Sequence, residues 1–315
     1  MIKTPLCELL GIEYPILQGG MAWIADASLA AAVSNGGGLG LISAMNANAE
    51  WVKGEIRKAK TLTDKPFGVN IMLMSPYAQE VAQLVIDEGV PVVTTGAGNP
   101  SQYMAAWLEA GVKVLPVVAS TGIAKRVARC GAVAVIAEGC ESGGHIGELT
   151  TMTLVPQVCD AVDIPVVAAG GIADGRGIAA AFLLGAAGVQ VGTRFLVANE
   201  CGVHQNYKNK ILHAKDIDTL TTGKRTGHPV RALKTAFTRE FAKKEYDADV
   251  SSEDLEAFGS GALRRAAVEG DEKNGCFMAG QIAAIVDREQ PAAEIIREMF
   301  GEAETVLGGA GRWVK

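Results

Sequence analysis

Residues 138–149 read EGCESGGHIGEL, and the single histidine of this run, His145, follows the pair Gly143–Gly144 and precedes Gly147. Glycine lets the backbone approach other groups closely, at an entropic cost when it is ordered. A histidine set among glycines therefore reads as an imidazole presented to something. Imidazole changes charge near neutral pH and is the side chain most often used as a general acid or base. Polar or glycine-rich groups recur along the chain: Gln18-Gly19-Gly20-Met21-Ala22, Asn70, Glu138, Gly170-Gly171 and Gln190-Val191-Gly192-Thr193.

Each of these groups lies at or near the end of a short apolar run, and the runs define an architecture able to gather them. PILQGG near 15, GLGLIS near 38, PFGVNIML near 66, PVVTTG near 91, VKVLPVV near 112, AVAVIAEG near 133, PVVAAGG near 165 and GVQVGT near 188 are rich in Val, Ile and Leu. Near-continuous apolar character is the pattern of parallel strands buried on both faces. Amphipathic helical stretches separate them, as in DASLAAAVSNGGG, where Asp26 or Ser28 can cap the helix and Gly36 can stop it. Eight strand–helix units predict an α/β fold, a (β/α)8 TIM barrel over residues 1–200. Residues 201–315 show the helical patterns SSEDLEAFGSGALRRAAVEG and MAGQIAAIVDREQPAAEIIREMF but no comparable strand run. They are read as a helical extension packed on the barrel.

In such barrels the chemistry sits at the C-terminal ends of the strands. Gly170-Gly171 and Gly192-Thr193 follow the seventh and eighth runs, where barrels build a phosphate cup from glycine amides and a helix N-terminus. Such a cup suits a sugar phosphate, pyridoxal phosphate or flavin mononucleotide. No strand-end lysine stands ready for a Schiff base, since Lys113 opens the fifth run at the opposite end. The H-x-H pair of barrel metallohydrolases is absent, so no metal centre is expected. Flavin is left, with Gln18, Asn70, Glu138 and Gln190 as candidate partners for its ring edge and ribityl chain.

Composition narrows the partners. Hydrophobic residues make up 49% and charged residues 20% of the 315 residues, and the net charge is −6. This suits a globular protein and argues against nucleic acid. No run approaches the roughly 18 apolar residues of a membrane-spanning helix, and MIKTPLCELLGIEYPI lacks the pattern of a signal peptide. A cytoplasmic protein with no membrane association is expected. The six cysteines show no C-x-x-C spacing and are expected to be reduced, buried thiols. Cys140 invites a nucleophile reading, but its surroundings do not look like the loop of barrel dehydrogenases that use such a cysteine. His204, His213 and His228 lie beyond the eight runs and are expected in surface or helix roles.

Taken together, PILQGGMAW, PFGVNIML, VTTGAGNP, IAEGCESGGHIGELTTMTLV, PVVAAGGIADG, VQVGTRF and MAGQIA resemble the FMN-dependent enoyl-acyl-carrier-protein reductases of the FabK type, within the wider nitronate monooxygenase superfamily. The resemblance covers nearly the whole chain. The G-G-H-x-G element is shared with nitronate monooxygenases, which commonly carry arginine where this chain has Ile146. That difference, with the following ELTTMTLV, favours the reductase. Nitronate oxidation is the alternative, and a non-catalytic flavin-binding barrel is a third reading.

The resemblance implies His145 as the catalytic acid. It implies FMN held by Gly20, Met21, Ala22, Asn70, Glu138, Gly143, Gly144, Gly170, Gly171, Gln190, Gly192 and Thr193. NADH or NADPH is the implied co-substrate, and a monovalent cation with largely backbone carbonyl ligands is associated with the family. The implied partner is an acyl carrier protein bearing the enoyl chain. Such carriers are acidic, and so is this chain, so docking calls for a local basic surface. The densest basic stretch is GKRTGHPVRALKTAFTREFAKK, with Lys224, Arg225, Arg231, Lys234, Arg239, Lys243 and Lys244. A homodimer is the ordinary expectation for the assembly.

Overall fold

The computed structural model describes residues 2–44 and 47–313. The eight apolar runs become eight parallel strands: β1 (Ile16–Gln18), β2 (Gly40–Ser43), β3 (Phe67–Met72), β4 (Val92–Gly96), β5 (Lys113–Val118), β6 (Val135–Glu138), β8 (Val166–Ala169) and β9 (Gly188–Val191). Between β6 and β8 lies a two-residue strand, β7 (Gly144–His145), that belongs to a different sheet. The parallel strands run in the order β1-β9-β8-β6-β5-β4-β3-β2. A parallel bridge from Leu17 to Leu39 closes the ring between β1 and β2.

Gln18 completes that closure. Its backbone N–H donates to the Leu39 carbonyl at 3.0 Å. Its side-chain Oε1 accepts from the Leu41 amide at 3.0 Å, and its Nε2 donates to the Gly19 carbonyl. The amide is fully buried with both ends engaged, and Gln18 does not line the cavity at the strand ends. Gln18 is a structural residue, which corrects the reading that offered it to a flavin.

Leu17, Leu39, Leu41, Val92, Leu115, Ile136 and Val167 fill the barrel interior in one buried cluster with Leu6 and Leu10. These last two come from the helix Pro5–Leu10, so an N-terminal helix packs into the same core as the strand interiors. The helix Ala292–Gly308 buries Ile295, Ile296, Met299 and Phe300 against the same side as the helices Ala27–Asn35 and Gly175–Leu183.

The region after residue 200 is not purely helical. Strands β10 (Thr219–Thr222) and β11 (Val230–Leu233) form an antiparallel hairpin, and β11 also pairs with β7, placing Val230 opposite His145 and Arg231 opposite Gly144. TLTT and VRAL are short, and several of their residues are only partly buried, so they lack the continuous apolar signal that marks the barrel strands. MAGQIA is not a continuous helix either. Met278 bridges to Ala232, the Leu233 amide donates to the Phe277 carbonyl at 2.8 Å, and only a 3₁₀ turn follows at Gln281–Ile285.

Cys7, Cys201 and Cys276 are buried, whereas Cys130, Cys140 and Cys159 are partly exposed, and all six are free. Among the described residues no helix is long and apolar enough to cross a membrane.

Candidate active site

At the C-terminal ends of the strands lies a cavity of about 260 Å³. His145 and all twelve residues expected to hold a flavin line it: Gly20, Met21, Ala22, Asn70, Glu138, Gly143, Gly144, Gly170, Gly171, Gln190, Gly192 and Thr193. The barrel brings them together from β1, β3, β6, β8 and β9 or the loops that follow.

The loop after β6 explains its glycines. A Cβ on Gly143 would lie 2.5 Å from the Ala279 carbonyl carbon, and Gly144 adopts φ +78°. A side chain is excluded at the first and strained at the second. The glycines let residues 278–280 press against the loop while β7 zips onto β11. Glu141 reinforces the clamp, its carbonyl accepting from the Gln281 amide at 2.9 Å and its carboxylate from the Thr151 amide at 2.9 Å. From the other side the Thr193 hydroxyl accepts from the Gly280 amide at 2.9 Å. His145 is therefore held between the barrel and the hairpin.

A second cavity of about 450 Å³ adjoins the first. Trp23, Phe237, Phe241 and Leu255 give it an apolar lining, and His228 lies in its wall. His145, Leu263 and Met278 line both cavities. The imidazole stands at the boundary between them.

Burial shapes the charges. Glu138 sits within the first cavity, away from bulk water, and desolvation pushes its carboxyl up to about 7; the Ser142 hydroxyl, donating at 3.1 Å, opposes this only in part. His145 is pulled below its ordinary 6.5, first by burial and second by the charge of His228. Asn70 donates through Nδ2 to the Thr94 hydroxyl at 2.9 Å, which fixes its amide and leaves Oδ1 for a ligand.

The expected phosphate cup is only partly as the sequence suggests. The helix Gly175–Leu183 is already capped: the Asp174 carboxylate accepts from the Arg176 and Gly177 amides, and Glu302 accepts from the Gly175 amide at 2.8 Å. That terminus is not free for an anion. The amides of Gly171 and Gly192 have no hydrogen-bond partner among the described residues, and both residues line the cavity. These two amides, the polar groups of Asn70, Glu138 and Gln190, and the apolar Met21, Ile24, Met72 and Val117 suit a phosphate, a polyol chain and a planar ring system. The donor set fits FMN.

A profile of the nitronate monooxygenase family matches residues 3–302. The chain belongs to this family. It is thus an oxidoreductase of the flavin-dependent barrel class. Among its structural relatives within and around the family, the FabK structure from Thermotoga maritima superposes with a TM-score of 0.97 at 49% identity, covering 100% of both chains. The nitroalkane oxidase of Streptomyces ansochromogenes gives a TM-score of 0.85 at 31% identity, over 96% of this chain and 99% of the other. By sequence the chain is 44% identical to a 5-hydroxy-7a-methyl-1-oxo-octahydro-1H-indene-4-carboxyl-CoA dehydrogenase of Rhodococcus jostii, over 74% of this chain and 66% of that relative's length.

Of the other histidines, His204 caps the helix Gln205–Leu212 by accepting from the Asn206 amide at 3.1 Å, and Nδ1 of His213 lies 2.7 Å from the Asn209 carbonyl. Both play the expected helix roles. His228 is exposed, the surface role expected of it, and it also lines the second cavity, a place that depends on the unforeseen hairpin. Cys140 lines neither cavity.

The basic stretch also differs from expectation. The Arg225 guanidinium donates to the carbonyls of Glu245, Asp247 and Val250, and Arg231 donates to the Cys140 carbonyl at 3.0 Å and the Thr219 hydroxyl at 3.1 Å. Both arginines tie the hairpin to its neighbours. Lys244 pairs with Glu240 at 3.9 Å and lies over the Phe258 ring. Lys224, Arg239 and Lys243 remain exposed.

Proposed function

We propose that this protein is an FMN-dependent enoyl-acyl-carrier-protein reductase, reducing trans-2-enoyl thioesters with NADH or NADPH. The observation that carries the reading is the position of His145 at the boundary between a cavity whose groups fit a flavin and an apolar, aromatic one whose lining fits an acyl thioester. The 49% identity to FabK over the full chain supports it. So does the carboxyl-CoA relative, whose name also denotes a redox enzyme of a thioester. FMN held by these residues would supply the hydride chemistry that links a reduced nicotinamide to Cβ of the enoyl thioester.

The protein's own residues supply what a flavin lacks. Negative charge grows on the thioester carbonyl as hydride arrives, and an imidazole N–H placed there stabilises it. His145 then gives the proton to Cα. Such assistance is typically worth ~10²- to 10⁴-fold. Asn70, Glu138 and Gln190 hold the polar parts of the cofactor, and the Gly171 and Gly192 amides hold its phosphate. Phe237, Phe241 and Leu255 exclude water around the acyl chain, and the exposed Lys224, Arg239 and Lys243 offer charge to an acidic carrier.

Nitronate oxidation is the competing reading, favoured by the family's name and by the Streptomyces relative. Anaerobic mixing of FMN-loaded protein with NADH or NADPH, then with crotonyl-CoA, separates the two. The reductase bleaches on the first addition and regains its yellow colour on the second. A flavin that stays reduced until oxygen is admitted, while the enzyme consumes an alkyl nitronate, would reverse the assignment.

A further inference from the structure

We propose that Phe241 is a specificity-determining residue, closing the far end of the second cavity and setting the longest acyl chain that the enzyme accepts. This deepens the proposed reductase function and rests on it. The cavity wall is not uniform. Trp23, His228, Glu256 and Arg264 line it and are exposed, so that side opens to solvent. Phe237 and Leu255 line it at 6% and 0% exposure, so that side ends in protein. His145, Leu263 and Met278, shared with the first cavity, mark where the thioester would react. A thioester held there keeps its polar arm at the exposed rim and sends its hydrocarbon chain toward the phenylalanines, because apolar surface gains by leaving water.

Two helices build the closed end. Phe237 and Phe241 stand one turn apart on the helix Ala236–Glu245, as do Leu255 and Gly259 on the helix Ser252–Gly259, so each pair shares a face. Phe258 backs them: its ring stacks on Phe237 with centroids 5.1 Å apart and an interplanar angle of 10°, and it meets the Phe241 ring at 6.0 Å. Phe241 is the part of this wall that can vary. It is only half-buried, unlike Phe237 and Leu255. Its ring also depends on a missing side chain, since a Cβ on Gly259 would lie 3.2 Å from its Cε2.

The size suits a long chain. The cavity holds about 450 Å³, about three times the ~150 Å³ in which a protein cavity encloses benzene. At that density it takes roughly eighteen carbons, and a crotonyl chain leaves most of it empty.

The test is calorimetric titration of the full-length, FMN-loaded protein with saturated acyl-CoAs from butyryl to stearoyl. In the parent, affinity is expected to rise about fourfold with each methylene that enters the cavity and then to level off at a limiting length. Phe241→Ala is expected to move that limit to longer chains, gaining about fourfold per methylene over lengths at which the parent gains nothing. Phe241→Leu shifts it the same way to a smaller extent and serves should the alanine variant fold poorly. Gly259→Leu introduces a good helix former, fills the space beside the ring, and is expected to move the limit to shorter chains. KM values for the matching enoyl-CoAs are expected to follow. An unchanged limit in all three variants, or an affinity indifferent to chain length, overturns the proposal. Limits that move as expected, in proteins whose reduced flavin no enoyl-CoA reoxidises, would uphold the chain site and sink the reductase reading instead.

Discussion

Glu138 offers a quantitative test of the site's electrostatics through Glu138→Gln in the cofactor-stripped protein. The substitution keeps the shape and an acceptor for the Ser142 hydroxyl, now 3.1 Å from Oε1. The folded protein holds the Glu138 proton up to about 7, whereas an exposed glutamate loses it near 4.5. Because the folded pKa is raised, the folded state binds more protons than the unfolded chain between these values. Stability contributed by the neutral form is complete below 4.5 and is lost as pH rises through about 7. The interval corresponds to about 3 kcal/mol. Glutamine does not titrate. The unfolding free energy of the variant should match the parent's near pH 4 and exceed it by about 3 kcal/mol at pH 8. Urea titrations followed by tryptophan fluorescence at several pH values measure this difference directly. A difference that is constant across the range would refute a buried, neutral Glu138.

Three further outcomes follow from the site. Heat-released cofactor should have the mass of FMN rather than FAD, because the free amides of Gly171 and Gly192 suit one terminal phosphate and no G-x-G-x-x-G follows β1; recovery of FAD would contradict the cup. His145→Ala should slow thioester-driven reoxidation by ~10²- to 10⁴-fold while leaving flavin reduction by the nicotinamide nearly unchanged. Equal slowing of the two half-reactions in stopped flow would reassign the imidazole to holding the flavin. Replacing the exposed Lys224, Arg239 and Lys243 with glutamate should raise KM for carrier-bound substrate and spare crotonyl-CoA, with added salt mimicking the change; identical effects on both substrates would put the carrier elsewhere. Arg225 and Arg231 are unsuitable for that test, because their guanidinium groups hold the hairpin.

The barrel was legible because a strand buried on both faces must be apolar along its whole length, and VVAA or GVQV can be read as such without knowing its neighbours. The strand-end residues were legible for the same reason: once the strands are placed, so are their C-terminal ends. Gln18 shows the limit of that argument. It occupies a strand end like Asn70 or Gln190, yet the ring closes between β1 and β2 and consumes its amide. The strand pattern alone does not show which polar group the closure will take. Asp174 is a similar case. A cap and a phosphate compete for the same helix amides, and the carboxylate one residue before the helix wins.

What sequence could least reveal is the hairpin, and with it the environment of His145. Strands such as TLTT gain their place by pairing rather than by burying a continuous apolar run, and a two-residue strand such as Gly144–His145 has no periodicity at all. The glycines around the histidine carried the missing information in a form that admits two causes, close approach to a ligand or close approach of distant backbone. Both apply. Gly143 is barred from a side chain by Ala279, far along the chain, while the same residue lines the flavin-sized cavity. The tail is therefore part of the site. It pairs with the strand that carries the histidine, supplies Met278 to both cavities and puts His228 in the wall of the second. A barrel ending near residue 200 would present the flavin residues but leave His145 on an unpaired loop. The residues after 200 are what hold His145 in a paired strand at the boundary of the two cavities.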